Sequence, residues 1–133
     1  ALDNAAILFS IPISAWVAAI LLINEVPDIT ADAATGKRTL PVRLGLTGTA
    51  ILYFTIHLVA LAAVVRMTAT GQLPLLAPLV PAGLMILAAR ASAGIREGIA
   101  NRDGMTKAIE STLAIHTLGS IWMTGIALYL ILW

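Results

Sequence analysis

Apolar residues run almost unbroken from Ala5 to Ile23, interrupted only by Ser10, Pro12 and Ser14. A helix over 5–23 rises about 28 Å at 1.5 Å per residue, close to the hydrocarbon thickness of a bilayer. After a polar stretch over 24–45, apolar sequence resumes from Leu46 to Val65, with His57 near its middle and Arg66 at its end. A third run, 75–89, is preceded by Gly71 and Pro74 and carries Pro78 and Pro81 in its opening turns, where a missing amide donor costs least. This helix is expected to be short and bent. A mixed segment over 90–107 leads into the fourth run, 108–132, with Tyr129 and Trp133 placed as interfacial anchors. The pattern predicts an all-α polytopic transmembrane bundle of four helices, forming a single membrane domain over 1–133.

Composition agrees with the pattern. The 133 residues are 59% hydrophobic and 11% charged, whereas roughly a quarter of a soluble domain is charged. Eight Lys plus Arg against seven Asp plus Glu leave a net charge of +1, too balanced for a nucleic-acid partner. Zero cysteines exclude disulfides, thiolate metal sites and cysteine nucleophiles. The chain begins at Ala1 with no methionine and no basic leader ahead of the apolar run, so a piece of a longer protein is expected.

Charge placement predicts an orientation. Lys37, Arg38 and Arg43 fall in the first connection and Arg90, Arg96, Arg102 and Lys107 in the third, while the second carries only Arg66. By the positive-inside rule the first and third connections are cytoplasmic and both ends of the chain lie on the opposite side, as expected for a bacterial inner membrane protein. Small residues (Ala60, Ala62, Ala63, Ala88, Ala89, Ala91, Gly119 and Gly125) permit close helix packing.

The candidate chemistry sits in the first polar stretch. Asn24, Asp28 and Asp32 recur every four residues, which on a continuous helix would stack three oxygen-bearing side chains on one face. Clustered carboxylates repel unless a cation lies between them. Hard oxygen ligands favour magnesium, which keeps waters and shares its remaining positions with substrate phosphates. Lys37, Arg38 and Arg43 follow closely and would neutralise phosphate oxygens that the metal leaves uncovered. The array thus points to a bound diphosphate, although the same residues also fit a solvated loop at a membrane exit. Pro27 argues against one unbroken helix, placing Asp28 and Asp32 on a short extramembrane helix.

The run from Asn24 to Gly45, N-E-V-P-D-I-T-A-D-A-A-T-G-K-R-T-L-P-V-R-L-G, resembles without gaps the second aspartate-rich motif of the UbiA superfamily of intramembrane prenyltransferases. Its Gly-Lys-Arg-Thr-Leu-Pro-Val-Arg-Leu-Gly continuation is most similar to the menaquinone-pathway branch that prenylates 1,4-dihydroxy-2-naphthoate, although related quinone, chlorophyll and archaeal lipid enzymes share parts of it. Members of the superfamily are bundles of nine transmembrane helices with two aspartate-rich motifs, and this chain matches helices six to nine. The resemblance implies that Asp28 and Asp32 hold magnesium bridging to the diphosphate of a polyprenyl donor, with Asn24 supporting the metal. Lys37, Arg38 and Arg43 would face the diphosphate. The implied reaction ionises the allylic carbon–oxygen bond, and an electron-rich carbon of the aromatic acceptor then attacks the cation in a channel kept dry by the helices.

A first aspartate-rich motif is not found: the remaining acids are Asp3, Glu25, Glu97, Asp103 and Glu110, with no second DxxxD among them. The chain alone is therefore expected to be inactive, its partners being an amino-terminal half or neighbouring membrane subunits together with membrane lipid. A non-catalytic subunit packing inside a larger membrane complex is the alternative. An ion-coupled transporter is disfavoured, since mid-membrane carboxylates expected there are absent. His57 and His116 fall inside apolar helices, as contacts to the acceptor or its product or as interhelical hydrogen bonds of neutral imidazoles. Glu110 is expected to pair with Lys107. Trp16, Trp122 and Trp133 read as packing or interface residues, and Arg96, Arg102 and Asp103 as residues near the mouth of the site.

Overall fold

The computed structural model describes residues 4–132, so Asp3 and Trp133 lie outside the described residues. Its helices are α1 (Asn4–Asn24), the short α2 (Ile29–Ala34), α3 (Leu40–Ala69), α4 (Leu79–Glu97) and α5 (Arg102–Leu132), with one 3₁₀ turn over Gly98–Ala100; no strand occurs among the described residues. The four longer segments are long and apolar enough to cross a membrane. α1 packs on α3, α3 on α4 and α4 on α5, and α5 closes back on α1. Since successive long helices alternate in direction, the end of α1, all of α2, the start of α3, the end of α4 and the start of α5 gather at one end, the motif end.

Helix boundaries depart from the hydrophobic runs in ways the local chemistry explains. α3 nominally starts at Leu40, but Gly45 takes φ +67 and ψ 175, so the continuous membrane helix begins just beyond it, near the expected Leu46. Residues 75–78 form turns ahead of α4, and Pro81 stands in the helix's first turn. α4 does not stop at Ala89. It continues through Arg90 and Arg96 to Glu97, so most of the expected 90–107 loop is helical. Polar side chains end an apolar run without breaking a helix; the break comes at Gly98, whose φ is +59. α5 then restarts under Asn101, whose Oδ1 accepts from the Gly104 amide at 3.0 Å as an N-cap.

Close approach between helices relies on absent side chains. A Cβ on Gly119 would lie 2.5 Å from the Trp16 ring, and Trp16 is 2% exposed. On Gly94 it would lie 2.6 Å from the Gly104 carbonyl, bringing α4 and α5 nearly backbone to backbone. Ala60, Ala63, Ala88 and Ala91 are buried as the small-residue pattern predicts, whereas Ala62, Ala89 and Gly125 are exposed. Polar cross-links are few and specific. Ser92 Oγ donates to the Ala50 carbonyl at 3.0 Å, tying α4 to α3. Tyr53 and Thr112 hydroxyls meet at 2.7 Å. Because the Thr112 proton is directed to the Ala108 carbonyl at 2.8 Å, Tyr53 is the donor, and the bond joins α3 to α5.

Gly119→Leu is expected to lower stability by about 1–3 kcal/mol through overpacking, read as a lower midpoint of thermal unfolding in detergent. Gly83→Leu, at a position with open space around it, should leave the midpoint nearly unchanged.

Candidate functional site

The motif begins where α1 ends. Asn24 is the last residue of α1, and the chain turns through Glu25–Pro27 with the Val26 amide bonded to the Ile23 carbonyl at 3.2 Å and the Ile29 amide to the Val26 carbonyl at 3.3 Å. Val26 is fully buried in the bundle core, which pins the turn to the helices below it. Pro27 has no amide to continue the α1 ladder. Asn24 therefore stands on a different helix from the two aspartates, and the three do not stack on one continuous helical face.

Asp28 and Asp32 remain a pair. Asp28 is the N-cap of α2, and the Asp32 amide bonds to the Asp28 carbonyl at 2.8 Å, so the two lie one turn apart. The Asp28 side chain makes no capping bond and the residue is exposed. Asp32 is only 8% exposed. A buried carboxylate calls for compensation, and Lys37 Nζ supplies it, donating to Asp32 Oδ1 at 2.8 Å.

The reach of Lys37 follows from the way α2 ends. The Lys37 amide bonds to the Asp32 carbonyl at 2.9 Å and the Gly36 amide to the Ala33 carbonyl at 3.1 Å, with Gly36 at φ +78. These two bonds and a left-handed glycine form a Schellman motif, which folds the residue after the glycine back over the last turn. Thr35 seals the same turn with its hydroxyl on the Ala31 carbonyl at 3.1 Å. The Gly-Lys pair read from the sequence as a turn is thus a device that returns a cation to the aspartate five residues earlier. Its hydrogen bond with Asp32, the charge of Asp32 and, more weakly, that of Asp28 raise the Lys37 pKa above its usual 10.5, with desolvation opposing.

Arg38 and Arg43 differ from Lys37. Both are exposed and make no ion pair among the described residues, Arg43 lying in the first turn of α3. Asn24 is exposed as well. The donor set suits a hard divalent cation that takes one or two carboxylates and leaves its other positions to water and phosphate: Asp28 is unengaged, and Asp32 has a second oxygen beyond the one Lys37 occupies. No group of three or more acidic or histidine side chains capable of holding a metal occurs among the described residues.

Other sequence expectations are relocated. Arg90 and Arg96 belong to α4, and Arg102 and Asp103 open α5, all toward the motif end. Lys107 pairs with Asp103 at 2.6 Å, not with Glu110. A lysine reaches a carboxylate one turn back as readily at i−4 as one at i+3. His57 is 2% exposed, and its Nδ1 donates to the Tyr53 carbonyl of its own helix at 2.9 Å. It does not make the interhelical bond considered for it; Tyr53 and Thr112 make that link one turn away. Its Nε2 is buried without a hydrogen-bond partner. Trp16 is a core residue, and Trp122 packs against the core edge.

This geometry, an aspartate pair on a short helix at the end of an apolar bundle with a reversed lysine and free arginines, agrees with a sequence comparison. The profile of the UbiA prenyltransferase family matches residues 1–108. The chain belongs to the UbiA prenyltransferase family. The match takes in α1 to α4, the whole Asn24–Gly45 motif and the opening turns of α5. No curated protein and no solved structure matches the chain. Family membership makes it a prenyltransferase-type integral membrane protein.

The raised Lys37 pKa sets the direction of a pH effect. The ammonium contributes stability that is complete below its unfolded value of 10.5 and is lost as pH rises through the higher folded value. Lys37→Met should remove this alkaline component, so the stability difference between wild type and variant, measured by chemical unfolding in detergent, is expected to be constant near neutrality and to shrink only above pH 10.5.

Proposed function

We propose that this chain is the carboxy-terminal part of a magnesium-dependent aromatic prenyltransferase that transfers a polyprenyl group from its diphosphate to an acceptor such as 1,4-dihydroxy-2-naphthoate in menaquinone biosynthesis. The observation that carries the reading is the Asp28–Asp32 pair, one turn apart on α2, with Lys37 on Asp32 and Arg38 and Arg43 free beside it. Opposite charges collect there at the end of an otherwise apolar bundle, which is the arrangement needed to bind a polyanionic head while its tail lies in the membrane.

Asp28 and Asp32 would hold magnesium, with Asn24 supporting it from the end of α1. When bound, the ion would neutralise charge on the leaving diphosphate. Lys37, paired with Asp32 at 2.8 Å, would exchange that contact for a phosphate oxygen. Arg38 and Arg43 offer planar forks with no carboxylate to give up first. As the allylic carbon–oxygen bond breaks, its electron pair leaves with the diphosphate, and these cations stabilise the charge where it accumulates. The ring carbon of the acceptor then bonds to the allylic carbon, and the group it replaces, a proton or the carboxylate as carbon dioxide, departs. The apolar walls of α3, α4 and α5 exclude the water that would quench the cation.

The reading places the motif end on the cytoplasmic side of a bacterial inner membrane, since Lys37, Arg38, Arg43, Arg90, Arg96, Arg102 and Lys107 all lie toward it while Arg66 lies in the last turn of α3. An amino-terminal half or neighbouring subunit would supply the first aspartate-rich motif.

In the complete protein, Asp32→Ala is expected to abolish magnesium-dependent prenyl transfer, a fall of at least about 10²-fold for loss of a charge-stabilising group, with membrane insertion intact. Arg38→Gln should raise the KM for the prenyl diphosphate more than the KM for the acceptor. Undiminished turnover of Asp32→Ala would sink the metal assignment and favour a packing subunit.

A further inference from the structure

A lateral groove of about 390 Å³ runs between α3 and α4, on the flank of the bundle. Its walls are Ile51, Phe54 and Thr55 from α3 and Ala89 and Ser92 from α4, with Arg96 at its motif end. It lies on the rim of the core: buried Ala50, Tyr53 and His57 on α3 and Ala88, Ala91 and Ile95 on α4 stand one position round the helix from the groove wall, and of the wall residues Ser92 is itself buried. Ile51 is 55% exposed, and Thr55, Ala89 and Arg96 are exposed too, so the groove opens sideways along its length.

Its polar groups are unequal. The Thr55 hydroxyl donates to the Ile51 carbonyl at 2.9 Å and the Ser92 hydroxyl to the Ala50 carbonyl at 3.0 Å, so both hydroxyl protons are spent on backbone. The one strong donor left is the Arg96 guanidinium, which makes no ion pair among the described residues. Ala89 lies seven residues before Arg96, about 10 Å deeper along the helix. An apolar trough ending about 10 Å away in a lone, free guanidinium has the dimensions of the boundary between acyl chain and headgroup.

We propose that this groove binds an anionic phospholipid, its phosphate held by Arg96 and an acyl chain lying over Ile51, Phe54 and Ala89. Charge complementarity selects the anion: the groove contributes one uncompensated positive charge and no carboxylate. Guanidinium engages two phosphate oxygens at once in a planar fork, a match a zwitterionic headgroup weakens with its own cation. The sideways opening selects a lipid over a compact soluble ligand, since a small aromatic acid here would leave much of its surface facing lipid tails. The groove shares no lining residue with the Asp28–Asp32 pair, and its occupancy does not depend on the catalytic reading.

Native mass spectrometry of the full chain released from nanodiscs of equal phosphatidylglycerol and phosphatidylcholine tests the proposal. The tightest-held lipid should be phosphatidylglycerol, enriched about fivefold over the bulk ratio, the contribution of one basic residue near an anionic headgroup. Arg96→Gln should return the ratio to the bulk value, with helical content and thermal midpoint unchanged because Arg96 is exposed and unpaired. Arg96→Lys should keep part of the enrichment, as a point charge without the fork. Bulk ratios in the wild type, or enrichment that survives Arg96→Gln, would overturn the proposal. So would binding of 1-hydroxy-2-naphthoate that requires Arg96 without any phosphatidylglycerol preference, which would make the groove a site for an aromatic acid instead.

Discussion

The seat of Trp16 against Gly119 is the contact that closes the bundle. α1 meets α3 directly and α5 meets α4 directly, and where the indole lies against a residue without a side chain α5 returns to α1 and converts a row of helices into a ring. In a membrane the apolar effect scarcely distinguishes helix from lipid, so association depends on close van der Waals approach. Gly94 over the Gly104 carbonyl performs the same service for α4 and α5. With the ring closed, the Tyr53–Thr112 bond can cross from α3 to α5, and the buried face of α3 has polar as well as apolar partners.

Closure also decides where charge can go. The interior is filled by alanine, isoleucine, methionine and tyrosine, and every basic residue except Arg66 lies toward one end. The site at that end is organised by backbone more than by side chains. Val26 anchors the turn in the core, Pro27 ends the α1 ladder, and Gly36 reverses the chain so that Lys37 meets Asp32. Asp32 can be largely buried because that cation is brought to it. Asp28, one turn earlier, has no such partner among the salt bridges of the described residues and stays exposed. Two carboxylates of the same motif thus have different surroundings: one is held, the other open.

Much of this was legible in the residues. Long apolar runs report helices reliably because burial in lipid demands them, and Pro27 announced the break between α1 and α2. The Gly94–Gly104 approach was not legible. One glycine among ten looks like the next until a neighbouring helix is placed against it. α4 outruns its apolar stretch because the backbone ladder is indifferent to whether Arg90 and Arg96 meet lipid or water. The Lys107 pairing went to Asp103 instead of Glu110 for a similar reason, since both carboxylates lie within one turn and geometry alone chooses.

By itself the sequence determined the all-α membrane architecture, the four apolar helices, the polar segment that carries Asp28, Asp32, Lys37, Arg38 and Arg43, and the concentration of basic residues in two connections. These depend on hydropathy and on residue types, which are local properties of the chain. Tertiary structure decided which aspartate is buried, that Lys37 folds back upon it, that Asn24 stands on another helix, and that Arg96 lies free at the end of an open groove. Those outcomes turn on the left-handed glycines and on the distances between packed helices. A spacing of four residues fixes neighbours only along an unbroken helix, and here the backbone breaks between the first of them and the second.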